Sequence, residues 1–186
     1  MKLVFLDRDG VINRFPGDGE YVTRVKDFQF LPGALQAIRK LTEHGYTLFV
    51  ISNQAGVAKG LMTQDKLNRI TKKLLVGVER AGGKIEGVYY SIKKNGDGCP
   101  YRKPNIGSVQ LALKSVGKNM RAAKKAFFIG DARSDIQTGV NAGCRTIFVL
   151  TGKEKKSAVK KWDVSPDYVA KDLSEAAEII LKKEEL

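Results

Sequence analysis

Imidazole and thiol are scarce in this chain: 186 residues hold one histidine, His44, and two cysteines, Cys99 and Cys144. A lone histidine excludes histidine-rich metal centres, and a serine triad would have to recruit a residue sitting beside Gly45 at an expected helix end. Contact with the terminal helix carbonyls is the simpler account of His44. Two thiols cannot make a disulfide framework, so a reducing, cytoplasmic setting is expected. Long apolar runs are missing too. Leu3 to Leu6 is cut at once by Asp7, Arg8 and Asp9, and nothing approaches the roughly 18 residues of a membrane span, so neither a signal peptide nor a membrane anchor is expected. The phosphate loop Gly-x-x-x-x-Gly-Lys-Ser/Thr and the fingerprint Gly-x-Gly-x-x-Gly are absent, which leaves P-loop nucleotide hydrolysis and dinucleotide redox chemistry unsupported. Repeats and low-complexity linkers are absent as well.

Acidic residues are the minority. Against 33 Lys and Arg there are 20 Asp and Glu, a net charge of +13, which points to an anionic partner: a phosphorylated metabolite, a nucleic acid or an acidic surface. Most of the excess is lysine, whereas nucleic-acid readers lean on arginine forks, so a solvated lysine-rich surface is the plainer reading. The remaining balance, 42% hydrophobic and 28% charged, is that of an ordinary globular chain, expected to form a single domain over residues 1–186.

Short apolar runs alternate with stretches of helical period. Leu3 to Leu6, Tyr46 to Ile51, Val88 to Tyr90, Ala126 to Ile129 and Thr146 to Leu150 read as strands buried on both faces. Helices are predicted from near Pro32 to Gly45, from a Thr63 cap to about Gly82, from about Asn105 to Gly117, around Ile136 and Val140 up to Gly143, and from Leu173 to Lys183. Lys153 to Lys161 reads as a solvated surface segment. Strand and helix in turn give an α/β fold, a three-layer α/β/α Rossmann-like parallel sheet, in which ligands bind beyond the carboxyl ends of the strands.

Those ends carry the chemistry. The first strand runs into Asp7-Arg8-Asp9-Gly10, two carboxylates at a sharp turn. The second runs into Ser52-Asn53-Gln54, a hydroxyl and two amides suited to an oxyanion. Arg102-Lys103-Pro104 precedes the third helix, with the proline expected to open it and to hold Lys103 extended at the rim. The fourth strand runs into Gly130-Asp131, with Asp135 four residues beyond. Taken singly, each block also reads as a turn, a cap or a charged loop. Together, carboxylates without histidines favour an oxygen-liganded cation such as magnesium. With Ser52 and Lys103 to neutralise phosphoryl oxygens, the set is equipped for phosphoryl transfer through an aspartyl-phosphate. An ionised Asp7 needs no general base, while the leaving group needs an acid, a role open to Asp9 where the like charge of Asp7, Asp131 and Asp135 outweighs the opposing effect of magnesium on its pKa.

The blocks Phe5-Leu-Asp7-Arg-Asp9-Gly-Val-Ile-Asn13, Ser52-Asn53-Gln54, Arg102-Lys103-Pro104 and Gly130-Asp131 to Asp135 resemble, in order and spacing, the motifs of the haloacid dehalogenase-like phosphatases. Gly19-Glu-Tyr21-Val22, Phe28 to Gly33 and Asn53 to Gly60 look like the branch of D-glycero-D-manno-heptose 1,7-bisphosphate phosphatases and histidinol-phosphatases. The resemblance implies Asp7 as nucleophile and Asp9 as acid/base with its carbonyl on magnesium. It further implies Asp131 as a metal ligand, Ser52 and Lys103 as phosphoryl stabilisers, and Arg102 as a substrate contact. Asn53 and Lys59 are carried as further substrate contacts, although Lys59, like Lys93 and Lys94, also reads as a solvated lysine. The branch often has a zinc loop, Cys-x-His and later Cys-x-Cys, whose positions here are Ser91, Lys93, Cys99 and Tyr101. One cysteine cannot hold a tetrahedral zinc, so none is expected. The spans from Asp9 to Ser52 and from Asn53 to Lys103 are filled by expected helices and a strand, which leaves no room for a large cap domain. The expectation is a magnesium-dependent phosphatase of a small sugar bisphosphate of the heptose kind. A nucleic-acid 3′-phosphatase and a histidinol-phosphate phosphatase are the alternatives, and a non-catalytic anion-binding module stands behind them.

Overall fold

Apolar residues alternating between two faces build one sheet with a core on each side. The computed structural model describes residues 1–183. Its strands are β1 (Lys2–Leu6), β2 (Tyr46–Asn53), β3 (Gly87–Ser91), β4 (Phe127–Gly130), β5 (Arg145–Val149) and β6 (Tyr168–Ala170), all parallel in the order β3-β2-β1-β4-β5-β6. The helices are α1 (Ala34–Glu43), α2 (Gln64–Arg80), α3 (Gly107–Ser115), α4 (Arg133–Ala142) and α5 (Leu173–Lys182).

Period-two alternation decides which core each strand residue joins. Val4 and Leu6 pack with Leu48, Val50, Phe127 and Ile129 under α1, α2 and α5. Leu3 and Phe5 pack with Phe49, Ile51 and Phe128 on the face that α3 covers. Parallel register sets Phe5 beside Phe49 and Phe128, with ring centroids 5.9 and 6.1 Å apart. The predicted stripes are the buried ones: Leu67, Ile70, Leu74 and Val78 on α2, which Thr63 caps by accepting the Lys66 N–H. His44 Nδ1 lies 2.7 Å from the Lys40 carbonyl at the end of α1, as its position suggested.

Chain order reverses between β1 and β4. From β1 the chain winds outward through β2 to β3, then returns to β4 and winds the other way. Loops therefore part at the carboxyl ends of β1 and β4, where an open α/β sheet holds its ligand. Neither stretch expected to lack a cap contains a further domain: α1 fills one, and α2 with β3 the other.

Three expectations need correction. Tyr168–Ala170 forms a sixth strand that the sequence did not announce, because three edge residues are too few to show a period. Pro104 does not open α3, which starts at Gly107; the turn before it is held by Asn105 N–H to Arg102 carbonyl and Gly107 N–H to Pro100 carbonyl, both at 2.9 Å. Lys153 to Lys161 is not simply solvated surface. It contains a short 3-10 turn, Lys156–Lys161, and Glu154 is tied to the Arg133 N–H at 2.9 Å and the Trp162 indole N–H at 3.0 Å.

Packing on this scale predicts a contrast between two leucines. Leu41 is fully buried and Leu111 is 41% exposed, so in chemical denaturation Leu41→Ala should cost about 2–5 kcal/mol and Leu111→Ala about 0.5 kcal/mol or less.

Candidate active site

The β1 chain continues past Leu6 beside β4, with the Asp7 N–H on the Ile129 carbonyl at 2.9 Å. It then doubles back: Gly10 sits at φ +81°, which only glycine adopts freely, and the Ile12 and Asn13 N–H groups close on the Arg8 carbonyl at 2.8 and 3.1 Å. This turn leaves Asp7 at the switch point opposite Asp131, which directly follows β4. One carboxylate oxygen from each of Asp7, Asp131 and Asp135 lies within 4.8 Å of the others. Asp135 reaches the group from the first turn of α4, where it accepts the Ala132 N–H at 3.1 Å.

Lys103 stands among these carboxylates. Its Nζ lies 2.8 Å from Asp7 Oδ1 and 2.5 Å from Asp135 Oδ1, and its side chain is 3% exposed. Burial disfavours that charge, but Asp135 and Asp7 outweigh it and hold the ammonium above the ordinary lysine range. Asn53 fixes the lysine's backbone from β2: its Oδ1 accepts the Lys103 N–H at 3.0 Å, and its Nδ2 donates to the Lys103 carbonyl at 3.2 Å.

Crowded negative charge shows in the acids. Burial first, then Asp135 and Asp7, raise the Asp131 carboxyl well above its usual range. Burial, with Asp7 adding to it and Lys103 opposing it, pushes Asp135 up to about 6. Two glycines press on Asp131: a Cβ at Gly10 or at Gly152 would run into its carboxylate. The Lys153 N–H donates to Asp131 Oδ2 at 2.6 Å, and Thr151 Oγ1 donates to the Gly10 carbonyl at 2.6 Å. The donor set is all oxygen and anionic, which fits a magnesium-sized hard cation.

The site opens into a cavity of about 200 Å³ lined by Asp7, Asp9, Ser52, Asn53, Arg102, Lys103, Asp131 and Asp135, with Lys153 and the loop from Phe15 to Tyr21 as walls. Seven of the eight residues singled out as site members thus meet at one place. Lys59 does not: it is exposed, with Nζ over the Tyr21 ring at 5.2 Å, outside the cavity lining. Asp9 lines the cavity, but its carboxylate is turned to Arg8, Asn13 and Gln54, and Asp135 completes the carboxylate group instead. Arg102 donates from Nη1 to the Lys93 carbonyl at 3.0 Å. This ties it to the loop from Ser91 to Pro100, where Ser91 Oγ lies 3.6 Å from Cys99 Sγ and Asp97 accepts the Lys94 N–H at 2.8 Å.

Sequence reasoning missed Gly152, the Phe15 to Tyr21 wall, and the parts played by Arg8 and Gln54. Gly152 was within reach, since it follows the fifth apolar run as Asp131 follows the fourth. The wall had no apolar period to mark it.

The HAD-hydrolase-like family model matches residues 100–176. D-glycero-beta-D-manno-heptose-1,7-bisphosphate 7-phosphatase of Neisseria meningitidis is 33% identical over 168 residues, covering 90% of this chain and 87% of that protein. The D-glycero-alpha-D-manno-heptose-1,7-bisphosphate 7-phosphatase of Campylobacter jejuni is 35% identical over 155 residues, covering 83% and 85%. The crystal structure of D,D-heptose 1,7-bisphosphate phosphatase from B. bronchiseptica, complexed with magnesium and phosphate, superposes with a TM-score of 0.88 at 31% identity, covering 98% of this chain and 99% of that one.

Two outcomes follow for metal binding. Gly152→Ala should weaken magnesium binding about 10–100-fold in a calorimetric titration, because the added methyl displaces Asp131; unchanged affinity would show that Asp131 is not held for a metal. Protons and magnesium also compete for the same oxygens. Asp131 and Asp135 have raised folded-state pKa values, so each stabilises the metal-free protein most below the ordinary carboxylate range and loses that contribution as pH rises through its own folded value, about 6 for Asp135 and well above the ordinary range for Asp131. Magnesium should therefore raise the thermal midpoint more at pH 7.5 than at pH 5, and an equal or larger rise at pH 5 would contradict this.

Proposed function

The chain belongs to the haloacid dehalogenase-like hydrolases, and from that membership we propose that it is a magnesium-dependent phosphatase that removes a phosphate from D-glycero-D-manno-heptose 1,7-bisphosphate through an aspartyl-phosphate on Asp7. The observation that carries this reading is the placement of Asp7 beside Asp131, Asp135 and the Lys103 ammonium at the mouth of a cavity. We further propose that residues 1–186 act as one domain in the cytoplasm; the free thiols Cys99 and Cys144 support that setting, and among the described residues no helix is long and apolar enough to cross a membrane.

Asp7 has a nearly buried carboxylate already paired with Lys103, so one oxygen is positioned to attack phosphorus without a base to activate it. Lys103 Nζ and the Ser52 hydroxyl receive the phosphoryl oxygens, where a pre-placed charge stabilises the transition state most. Asp9, at the cavity edge and paired with Arg8 when ionised, serves the leaving oxygen in its protonated form, gives that proton to the departing alkoxide, and then takes a proton from the water that opens the acyl phosphate. Asp7, Asp131 and Asp135, with the Asp9 carbonyl, would hold magnesium, which when bound supplies Lewis acidity and charge neutralisation to the phosphoryl group. Arg102 and Lys153 on the cavity wall suit the second phosphate of a bisphosphate. Asp18 and Glu20 also line the cavity and repel an extended polyanion, which disfavours a nucleic-acid end. The Ser91 to Pro100 loop offers a single thiol, too few for a tetrahedral zinc, and is held by the Lys94 N–H donating to Asp97 and by Arg102 donating to the Lys93 carbonyl.

Phosphate release with magnesium across both anomers of heptose 1,7-bisphosphate, histidinol phosphate and a 3′-phosphorylated oligonucleotide tests the reading. Heptose bisphosphate should show the highest kcat/KM, and Asp7→Asn should lower turnover at least about a thousandfold. Preference for the oligonucleotide, or full activity in Asp7→Asn, would overturn it.

A further inference from the structure

Between the two aspartates of the first motif stands a fully buried arginine. Arg8 is 0% exposed, and a guanidinium so far from water needs a fixed anionic partner. It has one: Nη2 lies 2.9 Å from both Asp9 oxygens, and Nε lies 3.2 Å from Oδ1. The same Nη2 donates to Gln54 Oε1 at 3.0 Å. Gln54, also 0% exposed, turns its Nε2 to Asp9 Oδ2 at 2.7 Å and to Ser52 Oγ at 3.2 Å. Asn13 Nδ2 closes the remaining side with a 2.8 Å bond to Asp9 Oδ1. Of Arg8, Asp9 and Gln54 only Asp9 lines the cavity.

This arrangement dictates the residue at 54. Its oxygen must accept from a guanidinium while its nitrogen donates to a carboxylate and a hydroxyl, and only an amide of this length offers both from one planar group. A glutamate would set a second anion against Asp9, and an apolar side chain would leave Arg8 and Asp9 each short of a partner.

We propose that Gln54 is a positioning residue: it holds Asp9 and Ser52 at a fixed separation, so that the group serving the leaving oxygen and the group serving the phosphoryl oxygen address one substrate phosphate. This rests on the roles assigned above to Asp9 and Ser52. Gln54 touches no substrate and acts only through its neighbours, and Arg8 anchors it from below.

The test separates leaving-group chemistry from folding and from phosphate binding. Gln54→Met keeps volume and removes all three side-chain hydrogen bonds; Gln54→Asn keeps the amide but shortens its reach, and carries the test where the methionine variant does not fold. Each is assayed on the wild type's best sugar phosphate, whose alkoxide needs a proton, and on p-nitrophenyl phosphate, whose leaving group does not. We expect kcat/KM, which reports only the steps up to departure of the leaving group, to fall about 10–100-fold on the sugar phosphate and less than about 3-fold on the aryl phosphate, whereas the later hydrolysis of the aspartyl-phosphate is common to both. In an Asp9→Asn background the same change should add little on the sugar phosphate. Equal losses of kcat/KM on both substrates, no loss at all, or full additivity with Asp9→Asn would overturn the proposal. Failure of the underlying reading looks different: Asp9→Asn alone would then show no dependence on the leaving group.

Discussion

Three carboxylates held with their oxygens within 4.8 Å of one another repel strongly where little water reaches them, and the surrounding structure is organised around that repulsion. Lys103 is inserted to oppose it. Arg8 neutralises the neighbouring Asp9 from beneath. Four acids, Asp7, Asp9, Asp131 and Asp135, thus face two buried cations, and a divalent ion is the charge that brings the sum to zero. Such a cluster does not stabilise the fold. It persists because two adjacent parallel strands, each with a well-packed apolar body, end at the same level, and because glycines at 10 and 152 let two loops close tightly on Asp131.

Division of labour among the elements follows. The sheet fixes Asp7 and Ser52 by backbone pairing, and Asp131 directly follows β4 with its carbonyl accepting the Glu154 N–H. Asn53 exports that rigidity from β2 to Lys103 through a reciprocal amide contact, so the lysine among the carboxylates is placed by a strand although it belongs to a loop. Substrate choice is left to the Phe15 to Tyr21 wall and to Arg102 and Lys153, on connections that can change without disturbing the acids.

What the sequence disclosed depended on where each residue stands. Asp7, Ser52 and Asp131 were legible because each directly follows an apolar run, and in a parallel sheet every such run ends on the ligand side. Lys103 was legible through its neighbours in the motif. Arg8 and Gln54 stood in plain view within the same motifs, yet nothing in a linear pattern says that a charged side chain folds back beneath its own strand and becomes fully buried. Lys59 failed for the converse reason: proximity in sequence to Ser52 carries no direction, and the chain has turned away before reaching it, leaving the ammonium over Tyr21. Glu154 was obscured by the lysines around it, since composition reports the surface of a segment and not its one buried contact. β6 was too short to show a pattern at all.

Covalent catalysis at Asp7 is the claim on which the account turns, and an acyl phosphate can be trapped directly. Acid quenching during turnover of the sugar bisphosphate with magnesium, followed by borohydride reduction and peptide mass spectrometry, should convert residue 7 to homoserine, and only when substrate was present. An unmodified Asp7 alongside reduction at Asp9 or Asp131, or no reduced residue during rapid turnover, would contradict it.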